Sequence, residues 1–248
     1  MTKDQKTSFD SLIEANRDRA KFSGHGDALG AAGVRKASFD PDNCAHLRKP
    51  GESIAVNPPG GGFKYILIGA AWDNEAREKS GLIGRLARKA AGKGVDLDVG
   101  CLYEMQDGTR GSVQAFGEKF GSFDAAPYMA LSGDDRTGDG GGYDEYITVN
   151  GAHWNKIKRI LVYFYIYSGA PNWSVINPKI ILDVPGEDDL VVSLSTHNDA
   201  LAVCAVGGLE NVREGIKLTN YTEYFPGHAE MDRAFGFGLE WDDGKKRG

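Results

Sequence analysis

From Glu52 onward, apolar residues arrive in short runs or at every second position: SIAV, KYILIGAAW, VDLDVGCLY, SVQAF, EYITV, IKRILVYFYIY, PKIILDV, LVVSLS, ALAVCAV and GIKLTNYTEYF. The runs are rich in Val, Ile, Tyr and Phe, and Gly, Pro, Asn and Asp separate them. This is the signature of β-strands joined by turns. So many short strands without interleaved helices predict an all-β fold, an antiparallel β-sandwich of two packed sheets. RILVYFYIY is apolar without a break, which predicts a central strand covered on both faces. NPPGGGF, Asn57 to Phe63, precedes a strand instead of following one and reads as a turn, not a phosphate loop.

Three stretches depart from this pattern. Residues 1–50 are polar and mixed in charge, with Phe9, Leu12 and Ile13 on one side of a possible short helix; they predict a partly disordered extension. Residues 74–94 place Ile83, Leu86, Ala87 and Ala90 at helical spacing, surrounded by Arg77, Lys79, Arg85, Arg88, Lys89 and Lys93. They predict a basic amphipathic helix inserted between two strands. Such a helix is either a solvated element on the sandwich edge or a contact for an anionic membrane surface or partner. MDRAFGFGLEW predicts a short C-terminal helix or turn anchored by Phe235, Phe237, Leu239 and Trp241, followed by a tail. The layout is an extension over 1–50, a sandwich domain over 51–242 and a tail over 243–248.

Composition narrows the function classes. The chain has 248 residues and a net charge of -6, which argues against nucleic acid as a partner. Cys44, Cys101 and Cys204 are far apart and form no CxxC, so neither a disulfide framework nor a zinc site is expected, and a reducing cytoplasm is. The five histidines form no ligand pair. No signal peptide and no membrane-spanning run is legible. Cys101 and Cys204 fall in apolar strands, leaving Cys44 as the accessible thiol.

The candidate chemistry lies in two acidic stretches. In VDLDVGCLY, strand alternation puts Leu97, Val99, Cys101 and Tyr103 on one face and Asp96 and Asp98 on the other, roughly 7 Å apart. Two carboxylates facing the same way raise each other's pKa unless solvent or a cation relieves them. SGDDRTGDGGGYDE, Ser132 to Glu145, carries carboxylates at Asp134, Asp135, Asp139, Asp144 and Glu145, a hydroxyl at Thr137, and glycines that let a chain wrap tightly. Hard cations such as calcium take six to eight such oxygens, whereas an ordinary solvated acidic loop needs none of this. It is not an EF-hand: counted from Asp135, the third position is Thr137, the twelfth is Tyr146, and strands flank it. No GxSxG elbow and no Walker A occur.

The segments LRKPGESIAV, GAAWD, DLDVGCLYEMQDG, VQAFGEKFGSFDAAPYMALSGDDRTG, KRILVYFYIYSGAPNW and YFPGHAEMDRAFGFGLEW together resemble the tellurium-resistance TerD/TerA family, most closely its TerA-like branch. The resemblance runs from about Arg48 to Trp241. It implies a calcium-binding β-sandwich whose ions sit at one end, held by the DLD strand and the GDxxTG loop. By matching motif, Asp96, Asp98, Asp134, Asp135, Thr137, Asp144 and Glu145 inherit a ligand role, and Asp73 of AWD matches a further acidic position. Where the family pattern continues with an acid-rich run, Gly141 and Tyr143 stand here, so one calcium ion is expected more than two. The resemblance implies a non-enzymatic scaffold or interaction module of bacterial tellurite and stress resistance, acting with other proteins of that type near the inner membrane. The alternative is a metal-assisted hydrolase at the same acidic site.

Overall fold

The computed structural model describes residues 44–72, 96–115, 117–132, 145–168, 173–194 and 196–241, with only the backbone of Asp96 and Ser168. Thirteen strands are described: β1 (Ala45–Leu47), β2 (Ser53–Val56), β3 (Tyr65–Ala71), β4 (Asp96–Met105), β5 (Arg110–Val113), β6 (Gly121–Ser122), β7 (Met129–Leu131), β8 (Glu145–Asn150), β9 (Ile157–Ser168), β10 (Lys179–Asp183), β11 (Leu190–Ser193), β12 (Val203–Val212) and β13 (Gly215–Phe225). They form a seven-stranded sheet in the order β1-β11-β10-β3-β8-β7-β6 and a six-stranded sheet in the order β2-β13-β12-β9-β4-β5. Only the β1–β11 pairing among these is parallel. The expected antiparallel sandwich is therefore the fold, with one parallel edge.

The alternation read from the sequence builds the core. Ile66 and Ile68 of β3, Leu97, Val99 and Cys101 of β4, Ile147 and Val149 of β8, and Ile160, Val162 and Phe164 of β9 all face between the sheets. The intervening residues of β9, Leu161 and Tyr163, pack on the outer side with Leu102, Val203, Phe225, Met231 and Phe237. β9 lies between β12 and β4 and is thus the doubly covered central strand that its uninterrupted apolar run predicts.

Two short α-helices are described, α1 (Trp173–Ile176) and α2 (His228–Phe235), besides a 3-10 helix over Gly151–Lys156. Gly236 ends α2 in the left-handed region at φ 67°, donating its N–H to Asp232 O at 2.7 Å. The buried Asp232 carboxylate then accepts from Gly238 N, Leu239 N and Trp241 Nε1 at 2.6–2.7 Å, folding the C-terminal stretch back onto the six-stranded sheet. The anchors expected there, Phe235, Phe237, Leu239 and Trp241, do join the outer apolar cluster.

The strands of the sandwich begin before residue 51, the boundary read from the sequence. Ala45–Leu47, inside the stretch read as an extension, is an edge strand paired with β11. Three residues are too few to show a period, so β1 leaves no pattern to read. The basic stretch over 74–94, the helix expected near Phe9 and the tail lie outside the described residues.

Candidate metal centre

The strand pairings bring particular chain ends together. Ala70 near the end of β3 pairs Glu145 at the start of β8, and Leu131 at the end of β7 pairs Ile147. In the other sheet, Asp96 at the start of β4 pairs Ser168 at the end of β9. The chain between Trp72 and Asp96 and the acidic chain between Ser132 and Glu145 therefore leave from, and return to, these ends.

Glu145 ties the two sheets there. It shares the inward parity of Ile147 and Val149, is only 2% exposed, and accepts a hydrogen bond from Val99 N on its Oε2 at 2.7 Å. The opportunity arises because β5 reaches β4 only as far as Cys101, so the first residues of β4 have no described strand on that side. A carboxylate accepting a backbone N–H in a dry setting makes a strong, charge-assisted bond. The neck of the acidic loop is closed below it: Ser132 N donates to Tyr146 O at 2.8 Å and Tyr146 N donates to Ser132 Oγ at 2.9 Å.

Asp98 sits one residue from Val99 with the opposite parity, on the outer face of the six-stranded sheet. It is half-buried and lies opposite Tyr165. Burial raises the Tyr165 phenol pKa, and the Asp98 charge adds to that. Burial also drives the Tyr163 phenol well above its ordinary value, with Asp98 again contributing. Asp98 and Glu145 thus reach this end of the sandwich from the two sides of β4. At Asp96 the ladder is irregular: Asp96 faces Ser168 while Leu97 faces Ile166, which leaves Tyr167 as the extra residue on β9, 58% exposed.

Trp72 and Trp173 belong to the central core, and Trp173 Nε1 donates to Leu201 O at 2.8 Å while its ring meets Tyr224 edge-on at 5.4 Å.

Of the expected ligand set, Asp98 and Glu145 are described with their side chains, and Asp96 through its backbone. Asp73, Asp134, Asp135, Thr137, Asp139 and Asp144 lie outside the described residues, although Asp73 directly follows Trp72 and Asp144 directly precedes Glu145. Among the described residues no group of three His, Cys, Asp or Glu side chains is placed to hold a metal. The donors at this end are hard oxygens, the kind calcium selects. The cysteines stand apart: Cys101 and Cys204 are core residues, and Cys44 lies against His46 Nε2 at 2.8 Å on the outer face of the seven-stranded sheet.

Sequence reading missed a second polar centre. The buried Glu104 carboxylate on β4 receives Lys158 Nζ at 2.8 Å, Arg159 Nε at 2.6 Å and Arg110 Nη2 at 3.2 Å. Arg159 also donates to Phe235 O and Gly236 O, and Arg110 to Phe237 O. This network fastens the end of α2 to the sheet. Its members are scattered in sequence, so no local pattern announces it.

Fold and acidic end together define a class, a β-sandwich with its acidic segments rooted at one set of strand ends. The chain matches no protein-family profile. It is 35% identical over 201 residues to the tellurium resistance protein TerA of an Alcaligenes species, a match covering 80% of this chain and 56% of that relative. The chain thus spans about half the length of the curated relative it matches. It belongs to the tellurium-resistance TerA/TerD family. Among the described residues, no helix is long and apolar enough to cross a membrane.

Proposed function

We propose that this protein is a non-enzymatic calcium-binding module of the bacterial tellurite and stress-resistance type, serving as a cytoplasmic scaffold or interaction protein. The observation that supports it most is the bond from Val99 N to Glu145 Oε2, which holds the root of the acidic loop beside Asp98 across 46 positions of sequence. Carboxylates gathered at one end of a sandwich repel one another, and a divalent cation held among oxygens relieves that repulsion. Asp98 and Glu145 would be joined in holding it by Asp73, Asp96, Asp134, Asp135, Thr137, Asp139 and Asp144. A bound calcium ion would supply positive charge and order to the acidic segments. The chain's own residues supply the frame: the Ser132–Tyr146 clasp fixes the loop neck.

Partners under this reading are other proteins of the tellurium-resistance type. The basic residues of 74–94 offer a further contact for an anionic partner or the inner-membrane surface. The test is a thermal melt of the full chain with calcium and with chelator. Calcium should raise the midpoint, by the equivalent of about 2.7 kcal/mol at a hundredfold excess over the dissociation constant. Asp98→Asn should shrink that rise, and equal midpoints with and without calcium would overturn the reading.

A further inference from the structure

Cys44 differs from the other two cysteines in its surroundings. Burial in the central core pushes the Cys101 thiol up to about 12 and likewise raises Cys204, so neither forms a thiolate near neutral pH. Cys44 is half-buried, and its Sγ lies 2.8 Å from His46 Nε2. Cys44 directly precedes β1 and His46 is the middle residue of that strand. Two positions apart on an extended chain, they share one face. It is the outer face of the seven-stranded sheet: His46 pairs Val191 and Val191 pairs Ile181, both members of the outer apolar cluster that Cys44 also touches.

We propose that Cys44 and His46 form a nucleophilic pair, a site at which the chain is reversibly thiolated by low-molecular-weight disulfides. His46 Nε2 takes the proton of the Cys44 thiol, and Sγ attacks one sulfur of the disulfide. The reagent's S–S bond breaks as the new one forms, and the departing thiolate takes the proton from His46. One thiol and one disulfide give one mixed disulfide and one thiol, so no further oxidant or reductant enters.

The surroundings suit this chemistry. Burial, followed by the charges of Arg48 and Lys179, lowers the His46 pKa, so the ring stands ready as a neutral base. Carboxylates lie on the other side of the pair. Ala45 N donates to Asp189 O at 3.1 Å, and Asp183 and Asp189 add to the burial that raises the Tyr65 phenol. With both signs of charge around it, the site suits a disulfide that carries none. The product cannot be resolved within the chain, because Cys101 and Cys204 are both held in the core. The mixed disulfide therefore persists until an external thiol attacks it. That makes Cys44 a modification site and not the centre of an oxidoreductase cycle.

The experiment adds 2-hydroxyethyl disulfide to the full chain and follows the adduct by mass spectrometry of the intact chain and its peptides. One mercaptoethanol group should attach, on Cys44, and dithiothreitol should remove it. At about pH 7, His46→Gln should react at least tenfold more slowly, and the two rates should converge above about pH 8.5, where a thiol ionises unaided. A merely structural His46 would change the rate by the same factor at every pH. Should His46→Gln disturb the fold, Cys101 and Cys204 will react too, and the urea-unfolded wild type becomes the reference. Folded Cys44 should then react at least tenfold faster at about pH 7 than the same thiol in the unfolded chain. No adduct on Cys44, equal rates in wild type and a folded His46→Gln, a ratio that does not change with pH, or a folded Cys44 no faster than the unfolded one overturns the proposal.

Discussion

Val99 donates its backbone N–H to the carboxylate of Glu145 at 2.7 Å, from one sheet of the sandwich to the other. Both residues are buried, and the register of β5 on β4 stops at Cys101, short of Val99. The first residues of β4, with Asp98 among them, are thereby held against the root of the acidic loop.

Removing the acceptor should be costly. Glu145→Ala leaves a buried N–H without its partner and should destabilise the fold by about 2 kcal/mol, whereas Glu145→Gln, which keeps an acceptor oxygen, should cost less. Urea denaturation of both variants gives the order directly. Equal stabilities would mean that the bond contributes nothing.

Acid should act through His228. Its ring stacks on Trp241 at 5.0 Å and meets Tyr165 and Tyr163 edge-on, and burial lowers its pKa to about 4. The folded state favours the neutral ring. The stability this contributes is complete above the ordinary value of 6.5 and is lost as pH falls from there through about 4. His228→Phe keeps an aromatic ring in the stack and should flatten stability over that interval, measured by melts at stepped pH. An unchanged slope would remove His228 as its source.

Glu104 should act over a lower interval. Lys158, followed by Arg159 and Arg110, holds its carboxyl at about 2 against the opposing effect of burial. A depressed carboxyl pKa stabilises the fold above 4.5, and that contribution is lost as pH falls toward 2. Glu104→Gln should therefore cost on the order of 3 kcal/mol at neutral pH, with the gap to wild type narrowing as acid is added. A gap that stays constant down to the lowest pH would contradict the assignment.

The parts of this architecture that are periodic are legible in the sequence. Leu97, Val99 and Cys101 face inward and Asp98 outward because a ten-residue strand displays its alternation fully. β1, β6 and β7, of two or three residues each, display none. Glu145 reads in the sequence as the last acid of a loop, yet it is the first residue of β8 and faces the core. Its partner lies in the opposite sheet, where no local pattern points. The Glu104 network is non-local in the same way, joining residues 110, 158 and 159 to the end of α2. Asp98 belongs to an acidic pair that sequence alternation singles out, but its proximity to the loop root is a property of sheet packing.

The most direct measurement is calorimetric titration of calcium into metal-free full-length protein, beside the same titration of Asp98→Asn. Saturable binding near one ion per chain, weakened at least tenfold in the variant, is what this account predicts. No heat of binding up to millimolar calcium, or equal affinity in wild type and Asp98→Asn, would contradict it.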